Sequence, residues 1–471
     1  RMALSSASRH DVAPTSRRSP AQPWVAATLI GAVVVVLLGV LRWFLRQRYE
    51  LPYDNGYRPR VSCIITCYSE GMDVQKTLLS LCEQTYPGSI EIVPVVDGAA
   101  VNHETLEAVR RFKVDPLLYP RRYLRPIAKW QRGGRVSSLN AGLALCSGEI
   151  IMVHDGDTSF DNNMVSAMVR HFEDPNVPAV AGSLRVRNVW ASLTTAVQAL
   201  EYLLSIHMAK IGLSEWNLVN NVSGAFGAFR RSFIERAGGW DTHTAEDLDM
   251  TLRIKSYFGR YRSLRIPFEP EAIGHTDAPV TFRQFLMQRL RWDGDLLFLY
   301  VRKHPASITP RLMGWGNFIM TLISGFFFQL VLPFIILGYS LFALLVLPWQ
   351  TLALLGALVY LLYLLITLLL YLCMLGLISE RPRQDLRLAV LVPIHGDRVR
   401  TPLPELAKAW AGVEVQPVTT SLARDLGLAA PGFRIIRSGH SAVAGRSRHH
   451  RHRPARAVTE HRSWKVTYSG L

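Results

Sequence analysis

Three short segments hold the residue types best suited to chemistry. Asp155-Gly156-Asp157 sets two carboxylates on a turn that Gly allows to bend tightly. Hard oxygen donors of this kind suit Mg²⁺ or Mn²⁺, which commonly share coordination with substrate phosphates. A divalent ion there would neutralise a diphosphate leaving group. The plain alternative is a solvated turn. Ala245-Glu246-Asp247-Leu248-Asp249 crowds its acids at the start of a helix expected over 248–257. A helix dipole favours such a first turn. The same turn offers Asp247 as a general base toward an acceptor hydroxyl, tuned by its acidic neighbours. Gln288-Arg289-Leu290-Arg291-Trp292 lies in an amphipathic stretch, 281–303. There Arg291 would contact a diphosphate and Trp292 would stack on a sugar ring. The segment also reads as an interfacial helix with snorkelling Arg and a belt Trp, and both readings can hold together.

These residues need a frame. Val61 to Tyr68, Ile90 to Val96 and Glu149 to Val153 are short β-rich runs, as buried strands require. Between and after them, Met72 to Gln84, Ser137 to Cys146 and Asp161 to Phe172 read as helices. The alternation implies an α/β domain with a mostly parallel sheet and helices on both faces. Ligands bind such sheets beyond the strand carboxyl ends, where Asp97, Asp155 and Asp157 fall.

Membrane segments flank this block. The chain of 471 residues is 49% hydrophobic and 19% charged, which excludes a disordered chain. Trp24 to Leu41 is nearly all apolar, giving a spanning helix over 23–45, with a signal peptide as the weaker alternative. Two further spans are expected over 317–347 and 351–378, as a hairpin with its tight turn at Pro348-Trp349-Gln350. Arg381, Arg383 and Arg387 place the hairpin's ends inside, so the block 58–280 would be cytoplasmic. Residues 1–22 carry four Arg of their own, a tension that an upstream helix would relieve.

The formal charge is +17, of which the segment from Pro431 to Leu471 supplies +8. Such a run reads as a solvated, disordered tail over 394–471, with no nucleic acid partner expected. The abrupt change of character after Pro393 fits either a natural tail or a reading-frame artefact. The five cysteines include no CxxC pair, so no disulfide framework or zinc site is expected.

The order VVDG, DGD, AED and QRLRW along one α/β block resembles that of the family-2 processive glycosyltransferases: the cellulose, chitin, hyaluronan and poly-N-acetylglucosamine synthases. Lys129 to Leu143 (KWQRGGRVSSLNAGL) and Asn221 to Arg230 (NVSGAFGAFR) are similar to further family segments. The resemblance implies a GT-A-like, Rossmann-type mixed sheet domain inserted between transmembrane helices. It implies a UDP-sugar donor, a polysaccharide acceptor, inversion at the anomeric carbon, and Mg²⁺ or Mn²⁺. By the same resemblance, Asp97, Asp155, Lys129, Gln288 and Arg291 would hold the donor and Asp157 the metal. Asp247 would be the base, and Trp292 and Gly224 would meet the acceptor. Ala245 stands where cellulose synthases carry Thr. An export or accessory subunit and the lipid bilayer complete the expected partners. Two other readings stand beside this one: transfer of a single sugar to a lipid acceptor, and a catalytically silent membrane scaffold.

Overall fold

The computed structural model describes residues 22–47, 56–242, 245–379, 381–390, 413–418 and 432–438. Residues 1–21 and most of 391–471, expected as tails, lie outside them. Strands β1 (Val61–Cys67), β2 (Ile90–Asp97), β3 (Arg122–Leu124), β4 (Ile127–Lys129), β5 (Ile150–Asp155), β6 (Ser159–Phe160), β7 (Ala179–Val186), β8 (Phe226–Arg230) and β9 (Phe268–Thr276) form one sheet. Its order is β3-β2-β1-β5-β8-β7-β9-β6, with β4 also paired to β2.

Every residue of β1 and β2 is buried, as expected for strands covered on both faces. Successive side chains of β1 alternate between two cores. Cys63, Ile65 and Cys67 join Leu78, Leu81, Met164 and Phe172 on one face. Ile64 joins Leu139, Ile151, Met250 and Ile254 on the other. Burying each large side chain contributes about 1.5–3 kcal/mol.

The covering helices are α1 (Gln22–Gln47), α2 (Val74–Cys82), α3 (His103–Arg111), α4 (Gly134–Leu145), α5 (Met164–Val169), α6 (Leu193–Glu201), α7 (Ala209–Ser214), α8 (Arg231–Arg236) and α9 (Glu246–Lys255). A π-helical stretch, Tyr202–Met208, joins α6 to α7. The sheet is less parallel than the alternation of strands and helices predicts. β8 runs antiparallel to both β5 and β7, and β6 antiparallel to β9. The long helical run between β7 and β8 returns the chain in the opposite sense, a reversal that no local periodicity encodes.

Beyond the sheet come α10 (Phe282–Leu297), α11 (Pro310–Met313), α12 (Trp315–Met320), α13 (Leu332–Val346), α14 (Trp349–Leu377) and α15 (Pro382–Val390). Among the described residues, three helical segments are long and apolar enough to cross a membrane: Ile30–Gln47 within α1, Trp315–Val346, and α14. The turn between the last two falls at Leu347 and Pro348, where Pro348 precedes the first residue of α14. Helix α1 meets α7 backbone to backbone, with Gly39 and Gly212 in direct contact. Arg42 and Arg46 of α1 pair with Glu215 at 3.4 and 2.7 Å, and Trp216 Nε1 donates to Val35 O at 3.0 Å. Within the stretch expected to be a tail, β10 (Val413–Val418) and β11 (Gly432–Ser438) pair as an antiparallel ladder.

Candidate active site

The register of the parallel strands assembles the site. Thr66 of β1 lies opposite Asp155 of β5, and Cys67 opposite Val96 of β2. The three strands therefore end together, and the residues that follow them line one cleft of about 250 Å³. Its walls include Tyr68, Glu70, Asp97, Arg135, Asp155 and Asp157.

Asp97 closes β2 and is buried. Lys129 Nζ donates to its Oδ1 at 2.6 Å, Gly133 N to the same oxygen at 2.9 Å, and Gly134 N to Oδ2 at 2.9 Å. Burial alone would raise the Asp97 carboxyl, but these donors outweigh it and hold it below the usual range. Lys129, expected at the donor, is here the partner of Asp97. Together they shape the 129–134 loop at the rim of the cleft.

Arg135, on the first turn of α4, spans the cleft. Its Nη1 donates to Asp155 Oδ1 and, at 2.8 Å, to Thr66 Oγ1. Its Nε donates to Glu246 Oε1, and Nη2 to Gly224 O at 2.6 Å. Burial would weaken its charge, yet the two carboxylates hold the guanidinium protonated far above its normal range. Burial pushes the Glu246 carboxyl up; Arg135 opposes this and the charge of Asp247 adds to it.

Asp247 is half-buried at the start of α9. Its Oδ2 accepts from Asn221 Nδ2 at 3.1 Å and Gly224 N at 2.9 Å, and its Oδ1 accepts from Leu248 N at 2.7 Å. Gly224 is required by closeness: a Cβ there would lie 2.9 Å from Glu246 Oε1 and 3.3 Å from Asp247 Cβ. Ala245, just before α9, has φ +47°, a left-handed conformation that strains a β-branched residue.

The Asp155–Asp157 turn is pinned from behind. Thr77 Oγ1 donates to Gly156 O at 2.8 Å, and Arg187 Nη2 to Asp157 O at 3.0 Å. Glu70 folds over the turn, so close that a Cβ on Gly156 would lie 2.9 Å from its Cδ. Its Oε2 is buried with no hydrogen-bond partner. Burial raises the carboxyls of both Glu70 and Asp157, and the charge of Asp155 raises them further. Among the described residues no ion pair satisfies Asp157. No three side chains converge as a closed metal cage among the described residues. An open donor set of one or two carboxylates fits Mg²⁺ or Mn²⁺, whose remaining ligands come from phosphate and water.

Comparison with known proteins bears on the fold that carries these residues. Residues 150–377 match the model described as glycosyl transferase family group 2. Over those residues the chain is similar to the family 2 glycosyltransferases. Poly-beta-1,6-N-acetyl-D-glucosamine synthase of Staphylococcus epidermidis is 30% identical over 234 residues, 49% of this chain and 53% of that protein. The enzyme of the same name from Staphylococcus aureus strain COL is 26% identical over 267 residues, 56% of this chain and 60% of that protein. The chain therefore spans somewhat over half the length of these curated relatives. Among solved structures, the mannosyltransferase PcManGT from Pyrobaculum calidifontis, in complex with GDP-Man and Mn²⁺, superposes with a TM-score of 0.53. That match is 21% identical and covers 78% of this chain and 96% of the other. It shows the fold: a GT-A-type mixed sheet, flanked here by the apolar helices.

In this fold the QRLRW segment stands apart from the acids. It lies on α10, which Thr281 caps by accepting from Gln284 N at 3.3 Å. Arg289, not Arg291, anchors the helix, donating to Glu201 of α6 at 2.7 and 2.6 Å. The guanidinium of Arg289 also packs on the rings of Phe285 and Trp292. Arg291 is exposed, Trp292 is 38% exposed, and Gln288 Oε1 is buried without a partner. No hydrogen bond among the described residues joins Gln288, Arg291 or Trp292 to the cleft. Glu70 and Arg135 are site residues that sequence reading missed. Arg135 lies inside the segment Lys129 to Leu143, but nothing local marks it as the link between two acidic motifs. Glu70 lies three residues beyond the end of β1, near the carboxyl ends of the strands.

Proposed function

We propose that the protein is an inverting glycosyltransferase that adds sugars from a UDP-sugar to a growing β-linked polysaccharide. The observation that carries this reading is one guanidinium that joins two acidic motifs. Asp155 and Asp157 line the cleft at the strand ends, and Arg135, which also lines it, ties Asp155 to Glu246, the neighbour of Asp247. Asp247 would take the proton of the acceptor hydroxyl as its oxygen attacks the anomeric carbon. The bond from that carbon to the diphosphate oxygen breaks on the opposite side, so the configuration inverts. A Mg²⁺ or Mn²⁺ ion held by Asp157 would supply charge neutralisation to the departing diphosphate. Asp97, Asp155 and Lys129 would border the nucleotide. Gln288, Arg291 and Trp292 would approach diphosphate and acceptor once substrates draw α10 toward the cleft. Gly224 would keep the acceptor path open beside the base.

The naming of the staphylococcal relatives makes UDP-N-acetylglucosamine the first donor to test. We place the domain, residues 58–280, on the cytoplasmic side of a bacterial plasma membrane. The apolar helices and the Arg residues at their ends support this. An export or accessory subunit would complete the polymer path.

The test supplies membranes containing the protein with radiolabelled UDP-N-acetylglucosamine, UDP-glucose or GDP-mannose. Products are then sized and digested with specific hydrolases. A high-mass β-linked product with nucleotide release is expected. A single labelled glycolipid would overturn polymerisation, and no nucleotide release with any donor would overturn transfer.

A further inference from the structure

We propose that Lys210 is a positioning residue for Asp247, fixing the carboxylate through Asn221. The inference rests on the role of Asp247 as base proposed above. Lys210 sits on α7 within the apolar run Tyr202 to Leu213 and is 6% exposed. Its Nζ donates to Asn221 O at 2.8 Å. The side chain of the same Asn221 donates to Asp247 Oδ2 at 3.1 Å. Thr251 closes the unit: its Oγ1 lies 2.8 Å from Asp247 O and 3.3 Å from Asn221 Oδ1, and accepts from Val222 N at 3.0 Å.

A buried amine with one carbonyl partner is costly to keep, and an apolar side chain would fill the space more cheaply. The local charges give it a purpose. Three carboxylates, Asp155, Glu246 and Asp247, gather around Arg135 and Gly224. Arg135 pairs with the first two and with neither oxygen of Asp247. Lys210 is the cation behind the third. Burial pushes its ammonium down to about 8, and the Asp247 carboxylate resists that fall. A cation there offsets the repulsion between Glu246 and Asp247. The hydrogen bond to Asn221 O fixes the backbone whose side-chain amide orients Oδ2. Helix α7 is itself clamped to α1 at Gly39 and Gly212, so the cation sits on a rigid element.

The test uses the full chain in membranes, with Lys210→Met, Lys210→Gln and Lys210→Arg compared with wild type. Nucleotide release gives kcat and donor KM, and size-exclusion of the detergent-solubilised protein reports folding. In folded Lys210→Met and Lys210→Gln, kcat is expected to fall at least about tenfold, roughly 1.4 kcal/mol of barrier, with donor KM within about twofold. Lys210→Arg restores part of the loss, because it returns the charge. A wild-type kcat in either neutral variant overturns this inference alone. So does a loss that tracks folded yield and is not rescued by Arg. Absence of wild-type turnover with every donor overturns the transferase reading and this inference together.

Discussion

Glu246 and Asp155 share one guanidinium: Arg135 donates to the first through Nε and to the second through Nη1. The contact joins the motif expected at the donor to the motif expected at the acceptor. Removing Arg135 leaves buried Glu246 and half-buried Asp155 without their shared cation, which costs stability. Arg135→Met is therefore expected to lower the unfolding temperature sharply. Arg135→Lys has a point charge that cannot span both acids. It should fold yet lose at least about tenfold in turnover. Thermal unfolding in detergent, paired with nucleotide release, separates these outcomes; full turnover in Arg135→Lys would show that spanning is dispensable.

Asp247→Asn keeps the shape and the contacts to Asn221 and Gly224 but cannot accept the acceptor proton. Loss of a general base costs about 10²–10⁴-fold. The expected result is that fall in kcat with donor affinity, measured by calorimetry with UDP, within about twofold of wild type. Near-normal polymer yield would remove Asp247 from the role.

The carboxyls of Asp157 and Glu70 are raised by burial and by the charge of Asp155. Their folded-state affinity for protons exceeds the unfolded one, so their contribution to stability is greatest at low pH and declines as pH rises through the raised values. A divalent cation held there would offset the cost of ionising them. Mn²⁺ or Mg²⁺ should therefore raise the unfolding temperature, by about 2.7 kcal/mol of stability at a hundred times its dissociation constant. The effect should shrink as pH falls through those raised values and protons compete. Asp157→Asn should stabilise the metal-free protein and abolish the metal-dependent rise. An undiminished rise in that variant would exclude Asp157 as the ligand.

Arg289 and Arg291 are neighbours in one motif with different surroundings. Arg289 is committed to Glu201, whereas Arg291 is exposed. Arg289→Glu should loosen α10, and the swap with Glu201→Arg should recover it. Arg291→Ala should leave stability within about 0.5 kcal/mol and lower donor-dependent turnover. Limited proteolysis near α10 reads the first effect and nucleotide release the second.

Ala245 holds a left-handed conformation at the entry to α9. A β-branched residue there costs about 1–3 kcal/mol. Ala245→Thr should lower stability by that order, and Ala245→Gly should not. A neutral Ala245→Thr would mean the turn can relax.

Much of this site was legible along the chain because its elements are local. An apolar β-rich run followed by an acid marks a strand end, so β1, β2 and β5 and the acids Asp97, Asp155 and Asp157 could be read directly. So could α9 and α10, and the apolar helices, whose composition answers to a solvent rather than to a partner. What the sequence could not express is adjacency. Parallel register set the three strand ends level, and the reversed strand β8 mixed the sheet. Folding alone brought Arg135 between Asp155 and Glu246, Glu70 over Gly156, and Lys210 behind Asp247. Each of these is a lone charged side chain with no repeat or spacing around it. Its meaning comes from a low-dielectric neighbourhood built by distant segments, where a charge must find its partner, and only the tertiary structure decides which partner that is.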